Sequence, residues 1–307
     1  MQNKNYKKDN ELLVSINCMT YNHEAYIRNA IEGFLMQKTD FKFEVLIHDD
    51  ASTDQTATIV QKYENKYPEI IKPIYQKENQ YSKNISISKH YQYPRAKGKY
   101  IAICEGDDYW IDPLKLQKQV DFLEKNPDFS MSCHNAIILW ENKQKRPQLF
   151  SPDALPSILG IEDILKGWYI PSASIIFRTE IIQQLPNWQN KVYNGDYFYH
   201  LWCAHHGKIK YFDELMSVYR KNIIDGDSMS ANTGKDIDFI YKNILFLLDN
   251  FNNETNKIYN DLIECAKVQE YNKYKVKKLK QRYGLLHYFF KPVVYIKQFK
   301  KMIKKGA

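Results

Sequence analysis

The chain has 307 residues, 44% of them hydrophobic, with 44 Lys and Arg against 36 Asp and Glu for a formal net charge of +8. That length and apolar fraction suit one large α/β domain, alone or with an appendage, and exclude wholesale disorder. Twelve of the basic residues lie in residues 271–307, which hold no Asp or Glu, so residues 1–270 carry 32 basic and 36 acidic side chains; a nucleic-acid partner would need a basic face within the body, and this split argues against one.

Five scattered cysteines (Cys18, Cys104, Cys133, Cys203 and Cys265) form no C-x-x-C pair, which fits free thiols in a reducing compartment better than a disulfide framework or zinc site. Residues 1–10 are polar and lack the apolar core of a signal peptide. No apolar run reaches the roughly 18 residues of a membrane-spanning helix.

In chain order, Leu12–Cys18 reads as a buried strand, and Asn22 is a candidate cap for a helix carrying Ile27, Ala30, Ile31, Phe34 and Leu35. Phe43–His48 is a second strand, stopping at Asp49-Asp50-Ala51-Ser52-Thr53-Asp54, whose hydroxyls and carboxylates suit the start of a helix near Gln55. Ile70–Tyr75 is a third strand, residues 76–98 a polar connection with one helix, and Tyr100–Cys104 a fourth strand. Strands alternating with helical pattern make βαβ units and a mostly parallel sheet, whose ligands bind beyond the carboxyl ends of the strands. There is no G-x-G-x-x-G after the first strand and no G-x-x-x-x-G-K-[ST], so dinucleotide oxidoreductases and P-loop nucleotidases lose their main sequence support.

The fourth strand runs into Glu105-Gly106-Asp107-Asp108. Carboxylates this close raise one another's pKa, and a divalent cation removes that penalty; hard oxygen ligands suit Mg²⁺ or Mn²⁺. The alternative is a solvated acidic turn that caps the next helix. Beyond it, Pro113 opens a helix that ends before Asn126-Pro127, Ser130–Trp140 is a strand, and residues 141–157 are a proline-containing loop. Ser172–Phe177 reads as a strand, Asp196–His205 as a helix, and Ile209–Phe212 with Leu215–Arg220 as a hairpin-like pair. Asn222–Thr233 has the composition of a loop, and residues 236–280 are helical in pattern.

Taken together, the strand ends resemble those of the inverting glycosyltransferases of family 2, which use nucleotide-diphospho-sugars on a GT-A fold. The resemblance rests on Ser15-Ile16-Asn17-Cys18-Met19-Thr20-Tyr21-Asn22, Val45-Leu46-Ile47-His48-Asp49-Asp50-Ala51-Ser52-Thr53-Asp54, Ala96-Lys97-Gly98-Lys99-Tyr100-Ile101, Glu105-Gly106-Asp107-Asp108 and Tyr219-Arg220. It is strong over residues 12–140, weaker over 170–232 and absent after about 250. It implies a catalytic domain over residues 1–235, with a nucleotide-binding half at 12–140 and an acceptor half at 141–235, followed by a helical extension at 236–307.

The resemblance also implies roles. Thr20, Tyr21 and Asn22 would contact the donor, with Tyr21 by the base; Asp50 would accept a hydrogen bond from the base, Asp107 would face the ribose and Asp108 would hold the Mg²⁺ or Mn²⁺. Asp196 would be the general base, with helix capping as its other reading and Asp213 and Glu214 as weaker substitutes. Arg220 would bind the diphosphate, with help from Ser228 and Ser230. The family's Glu before the base is absent here, its Tyr-Arg-x-His continues to Asn222 in place of His, and Glu105 stands where relatives often have Asp, with no assigned role. These departures leave a non-catalytic nucleotide-sugar-binding subunit as the alternative. No Q-x-x-R-W motif is present, which favours a single addition over a polymerase.

The closest type within the family is the bacterial capsule and O-antigen enzymes, implying a UDP-linked donor and a glycan acceptor carried on a polyprenyl diphosphate. Residues 271–307 interleave Lys and Arg with Tyr, Phe, Leu, Val and Ile, the pattern of an interfacial anchor on an anionic bilayer; packing on the domain or on a second copy of the chain is the competing reading. The expectation is a cytoplasmic protein bound to the inner face of the plasma membrane.

Overall fold

The computed structural model describes residues 11–141, 145–151, 155–193, 195–221 and 236–283. The chain divides into two compact units, Met1–Asn232 and Thr233–Ala307.

In the first unit, β1 (Leu12–Thr20), α1 (Ile27–Leu35), β2 (Lys42–Asp49), α2 (Thr56–Lys66), β3 (Ile71–Tyr75) and β4 (Tyr100–Ile103) follow one another as βαβ units. β1 lies between β2 and β4, β3 lies outside β2, and all of these pairings are parallel. β1 and β4 are buried along nearly their whole length, so both read as continuous apolar runs. In residues 76–98 a 3₁₀ turn, Tyr81–Lys83, is followed by the expected helix in irregular form, a π-helical stretch at Ser88–Gln92 that runs into a 3₁₀ turn at Tyr93–Arg95. Gly98 lets that connection enter β4: a Cβ there would sit 2.5 Å from the Ser15 nitrogen.

β5 (Tyr109–Trp110), α3 (Lys115–Lys125), β6 (Phe129–Trp140), β7 (Gln148–Leu149), β8 (Ile158–Leu159) and α4 (Ile161–Lys166) come next. They are followed by β9 (Ile176–Arg178), α5 (Glu180–Gln183), α6 (Gly195–His206) and β10 (Lys208–Lys221). The sheet runs β3-β2-β1-β4-β9-β6-β10-β5, with β7 on β6 and β8 on β10. Beyond β4 it is mixed, because β9 is antiparallel to both β4 and β6, whereas β10 is parallel to β6.

Three local expectations are corrected. Residues 208–221 are one strand rather than a hairpin: both halves pair with β6 in the same direction, and the two extra residues bulge between Phe212 and Leu215 instead of reversing the chain. Ser172–Ser174 is a 3₁₀ turn rather than strand, because the Pro171 carbonyl accepts from both the backbone nitrogen and the hydroxyl of Ser174. Asn22 does not cap α1, which starts at Ile27; it adopts a left-handed conformation with φ 52°.

The second unit contains α7 (Ile237–Glu254) and α8 (Asn260–Tyr283), with the Asp236 carboxylate accepting from the Phe239 nitrogen at the start of α7. Tyr241 and Tyr274 stack at 4.4 Å, and Asp238 accepts from Tyr274 and Lys278, so the start of the basic stretch packs helix on helix. Residues 284–307, which carry most of the expected membrane-facing side chains, lie outside the described residues. No described helix is long and apolar enough to cross a membrane.

Candidate active site

The carboxyl ends of β1, β2 and β4 lie side by side, since Thr20 is in register with Asp49, and Cys104 and Gly106 donate backbone hydrogen bonds to Asn17 and Met19. The loops after β1 and β2 are stitched together. Asn22 Oδ1 accepts from the Thr53 nitrogen at 2.8 Å, its own nitrogen donates to Ser52 Oγ at 2.9 Å, and the Glu24 and Asp54 carboxylates accept from backbone nitrogens of Gln55 and Glu24 respectively. Asp49 accepts from both the nitrogen and the hydroxyl of Ser52. Asp54 also takes the Thr56 nitrogen; burial pushes its carboxyl up, but these hydrogen bonds outweigh that and leave it below the usual carboxylate range. Ala51, with φ 62°, is a second left-handed residue at this edge.

Asp50 is buried. Its two oxygens accept from the backbone nitrogens of Gln80 and Tyr81 at 2.8 and 3.0 Å, and His48 Nε2 lies 3.5 Å away. The expected base-recognising carboxylate therefore anchors the loop after β3, and only its remaining lone pairs face elsewhere. Thr20 is buried too, and its hydroxyl has no hydrogen-bond partner among the described residues; neither has His23 Nδ1. Both face Gly106, where a Cβ would lie 2.7 Å from Thr20 Oγ1 and 3.0 Å from His23 Nδ1, so a side chain at 106 would push into the end of β1 and His23. Tyr21, Asn22 and Asp107 are half-buried at this edge.

Three carboxyl groups follow β4. Glu105 is pushed up to about 8 by burial, then by Asp107 and by Asp196. Asp108 is held well above the usual carboxylate range by burial and Asp107, although its Oδ1 accepts from the Arg220 backbone nitrogen at 2.8 Å. This like-charge crowding is the chemistry that a divalent cation relieves, and Mg²⁺ or Mn²⁺ fits the oxygen set. Among the described residues no three His, Cys, Asp or Glu side chains form a ready-made cation cage, so ligand oxygens would have to complete the coordination.

Asp196 enters from the first turn of α6, which packs on α4, β6 and β10. Asp196 is half-buried, its carboxyl accepts from the Tyr197 nitrogen at 2.9 Å, and burial raises it to about 7. Glu105 feels Asp196 directly, and Tyr219 on β10 is pushed up by burial and then by Asp108, Asp196, Glu105 and Asp107. The fold thus brings Asp196 beside an acidic turn from which it is far removed in sequence. Asp213 and Glu214 do not join them: they sit in the β10 bulge, bonded to Tyr211 and Lys118.

Arg220 is buried, and its side chain is committed within the chain. Nε bonds Glu141 at 2.7 Å, Nη1 the Asp107 carbonyl at 2.7 Å and Nη2 Asn29 at 3.0 Å, while the guanidinium lies over Tyr109 and Tyr26. It clamps the acidic turn rather than standing out as a free phosphate fork. The sequence offers no signal for Glu141 or Asn29, because neither belongs to a local pattern. Asn194, Asn222, Ser228 and Ser230 lie outside the described residues.

Residues 15–192 match the family model described as Glycosyl transferase family 2. An uncharacterised protein of Mycobacterium tuberculosis, Rv1520, is 35% identical over 214 residues, covering 68% of this chain and 59% of that relative, so the chain spans less than two thirds of its length. The Escherichia coli UDP-Glc:alpha-D-GlcNAc-diphosphoundecaprenol beta-1,3-glucosyltransferase WfaP is 35% identical over 117 residues, 38% of this chain and 43% of that one. Among solved structures, S. aureus TarS 1–349 in complex with UDP-GlcNAc superposes with a TM-score of 0.63 at 20% identity, covering 84% of this chain and 72% of that one, a likeness of fold. With a match over more than half its length, the chain belongs to glycosyltransferase family 2.

Proposed function

We propose that this chain is an inverting glycosyltransferase that moves one sugar from a nucleotide-diphospho-sugar, UDP-linked, to a hydroxyl of a bacterial surface glycan carried on a lipid diphosphate. The observation that carries this reading is the meeting of Asp196 with the Glu105–Asp108 turn around Tyr219. UDP-sugars in the names of WfaP and of the TarS complex, and the diphosphoundecaprenol in the former, support the donor and acceptor classes.

Inversion requires a base on the acceptor hydroxyl, opposite the departing diphosphate. Asp196 fills that role: with a pKa near 7 it is ionised above neutrality yet basic enough to take a proton. Thr20 and Tyr21 line the nucleoside side with Asn22 and Asp50, the last two chiefly by fixing loops, and Asp107 faces the ribose. Asp108 would hold Mg²⁺ or Mn²⁺ through the oxygen that Arg220 leaves free, and the ion would neutralise the departing diphosphate. Arg220 acts by holding that turn in place. The basic stretch 271–307 supports a location at an anionic inner leaflet, near a lipid-borne acceptor.

The test is donor binding by calorimetry with UDP-glucose and UDP-GlcNAc, with and without Mn²⁺. Asp108→Ala should abolish metal-dependent binding and transfer; binding of equal strength in the presence of a chelator would refute the metal assignment.

A further inference from the structure

Two lysines share one ring at the carboxyl end of β6. Lys145 Nζ lies 4.3 Å and Lys221 Nζ 5.3 Å from the centre of the Trp140 ring, and Lys221 Nζ is also 5.8 Å from the centre of Tyr219. A single cation over an aromatic face is an ordinary contact, as Lys210 shows over Phe212. Two on one indole repel each other, and Lys221, half-buried, is pushed below the usual lysine range by burial and then by Lys145. Lys99, Lys118 and Lys208 each meet a carboxylate, but among the described residues neither Lys145 nor Lys221 has an acidic partner or a hydrogen-bond acceptor for its ammonium group. The Trp140 indole N–H, which can only donate, is buried and likewise finds no acceptor there.

The backbone that carries this patch is fixed, and it borders the acidic turn. β6 and β10 run parallel with Trp140 in register with Lys221, and Tyr219 and Lys221, two residues apart on β10, share a face. Phe150 packs edge-on against Tyr219 with ring centres 5.1 Å apart, and its backbone nitrogen bonds the Ala136 carbonyl of β6. The residues next to the pair in sequence are Arg220 and Glu141, bonded to each other at 2.7 Å, and the Arg220 nitrogen donates to Asp108 Oδ1. β9 is antiparallel to both β4 and β6, so Trp140 ends its strand at the same sheet edge as the turn after β4.

Aromatic faces hold the two cations in place without cancelling their charge, which leaves a positive site open to a mobile anion. We infer that Lys145 and Lys221, seated on Trp140, form a binding site for a diphosphate group of the substrates beside the Glu105–Asp108 turn. Lysine binds phosphate as a point charge, and two ammonium groups match the spread charge of a diphosphate better than one. The inference rests on the proposed reading that the donor and acceptor each carry such a group. Either one offers the same chemistry, and the test separates them.

The experiment uses the full chain with Mg²⁺ and follows the Trp140 indole N–H, one of five tryptophan signals in a ¹⁵N NMR spectrum and assigned by its loss in Trp140→Phe. The titrants are UDP, with uridine as its phosphate-free control, and geranyl diphosphate, with geraniol as its control. At least one diphosphate should shift the Trp140 signal saturably where its control does not. By calorimetry, Lys145→Met with Lys221→Met should weaken that diphosphate about tenfold, and Lys145→Arg with Lys221→Arg should keep it within about threefold of the wild type. Added salt should narrow the difference between the wild type and the double Met variant.

A response to UDP alone assigns the patch to the donor's diphosphate, one to geranyl diphosphate alone assigns it to the acceptor's, and a response to both assigns it to the group they share. A Trp140 signal indifferent to both diphosphates, or a double Met variant that binds them as the wild type does, overturns the proposal. Absence of sugar transfer by the wild type would overturn the transferase reading instead, and the response of Trp140 to a diphosphate would still decide the patch.

Discussion

The two halves of the sheet supply their carboxylates with different numbers of hydrogen-bond donors. On the parallel side, β3-β2-β1-β4, Asp49, Asp50 and Asp54 accept hydrogen bonds from loop backbone and hydroxyl groups; these leave Asp54 below the ordinary carboxylate range, whereas burial holds Asp49 above it. At the junction with the mixed side, Glu105, Asp108 and Asp196 have fewer compensating donors and are all pushed up, chiefly by burial. Carboxylates satisfied by hydrogen bonds hold the wall at the β1–β2 edge in shape, whereas crowded, buried ones are the candidates for chemistry; on the proposed reading the former build the donor side and the latter act on it.

The sharpest way to break that contrast is to remove an acting carboxylate. Asp108→Ala should reduce transfer by about a thousandfold or more, read as turnover with saturating donor and Mn²⁺. Asp196→Asn should lose transfer by a comparable factor while leaving donor affinity intact, measured by calorimetry.

Removing a wall residue should instead cost stability. Arg220→Ala leaves Glu141 without its partner and frees the Asp107 carbonyl, a loss of about 2–3 kcal/mol in urea unfolding. Asn22→Ala severs the clamp between the β1 and β2 loops and should cost about 1 kcal/mol, with donor affinity falling more than turnover.

A separate effect concerns pH. The Asp196 carboxyl is raised in the folded state to about 7 from an ordinary value near 3.8, so folding favours its protonated form. Its contribution to stability therefore declines as pH rises from about 4 to 7 and is flat above that. Asp196→Asn should accordingly be more stable than the wild type at pH 8 by about 1–3 kcal/mol, and no more stable at pH 4.

Much of the parallel half was legible in the sequence, because its function is local. Strand ends such as Thr20-Tyr21-Asn22 and Asp49-Asp50 carry their polar side chains directly after apolar runs, and the order of the βαβ units brings them to one edge. The details of capping were not legible: Asn22 and Glu24 bond across to the β2 loop, a partner thirty-odd residues away in sequence. In the mixed half, Asp196 is visible through its likeness to a family pattern, but its setting depends on the packing of α6 against α4, which no spacing reveals. The bulge in β10 was read as a turn because Asp213-Glu214 looks like one; pairing with β6 on both sides overrides that local preference. Arg220 resembles a phosphate ligand by its neighbour Tyr219, and its three bonds to Glu141, Asp107 and Asn29 are contacts that no local pattern shows.

The central claim is that Asp196 acts as the base beside the Glu105–Asp108 turn. Its most direct test is the pH dependence of transfer under single-turnover conditions, in the wild type and in Asp196→Asn, with UDP-glucose or UDP-GlcNAc, Mn²⁺ and a lipid-linked glycan acceptor. The account predicts a wild-type rate that rises through a midpoint near pH 7 and levels off above it, and an Asp196→Asn rate that is low and flat. An Asp196→Asn rate near that of the wild type, with the same rise through neutrality, would contradict it.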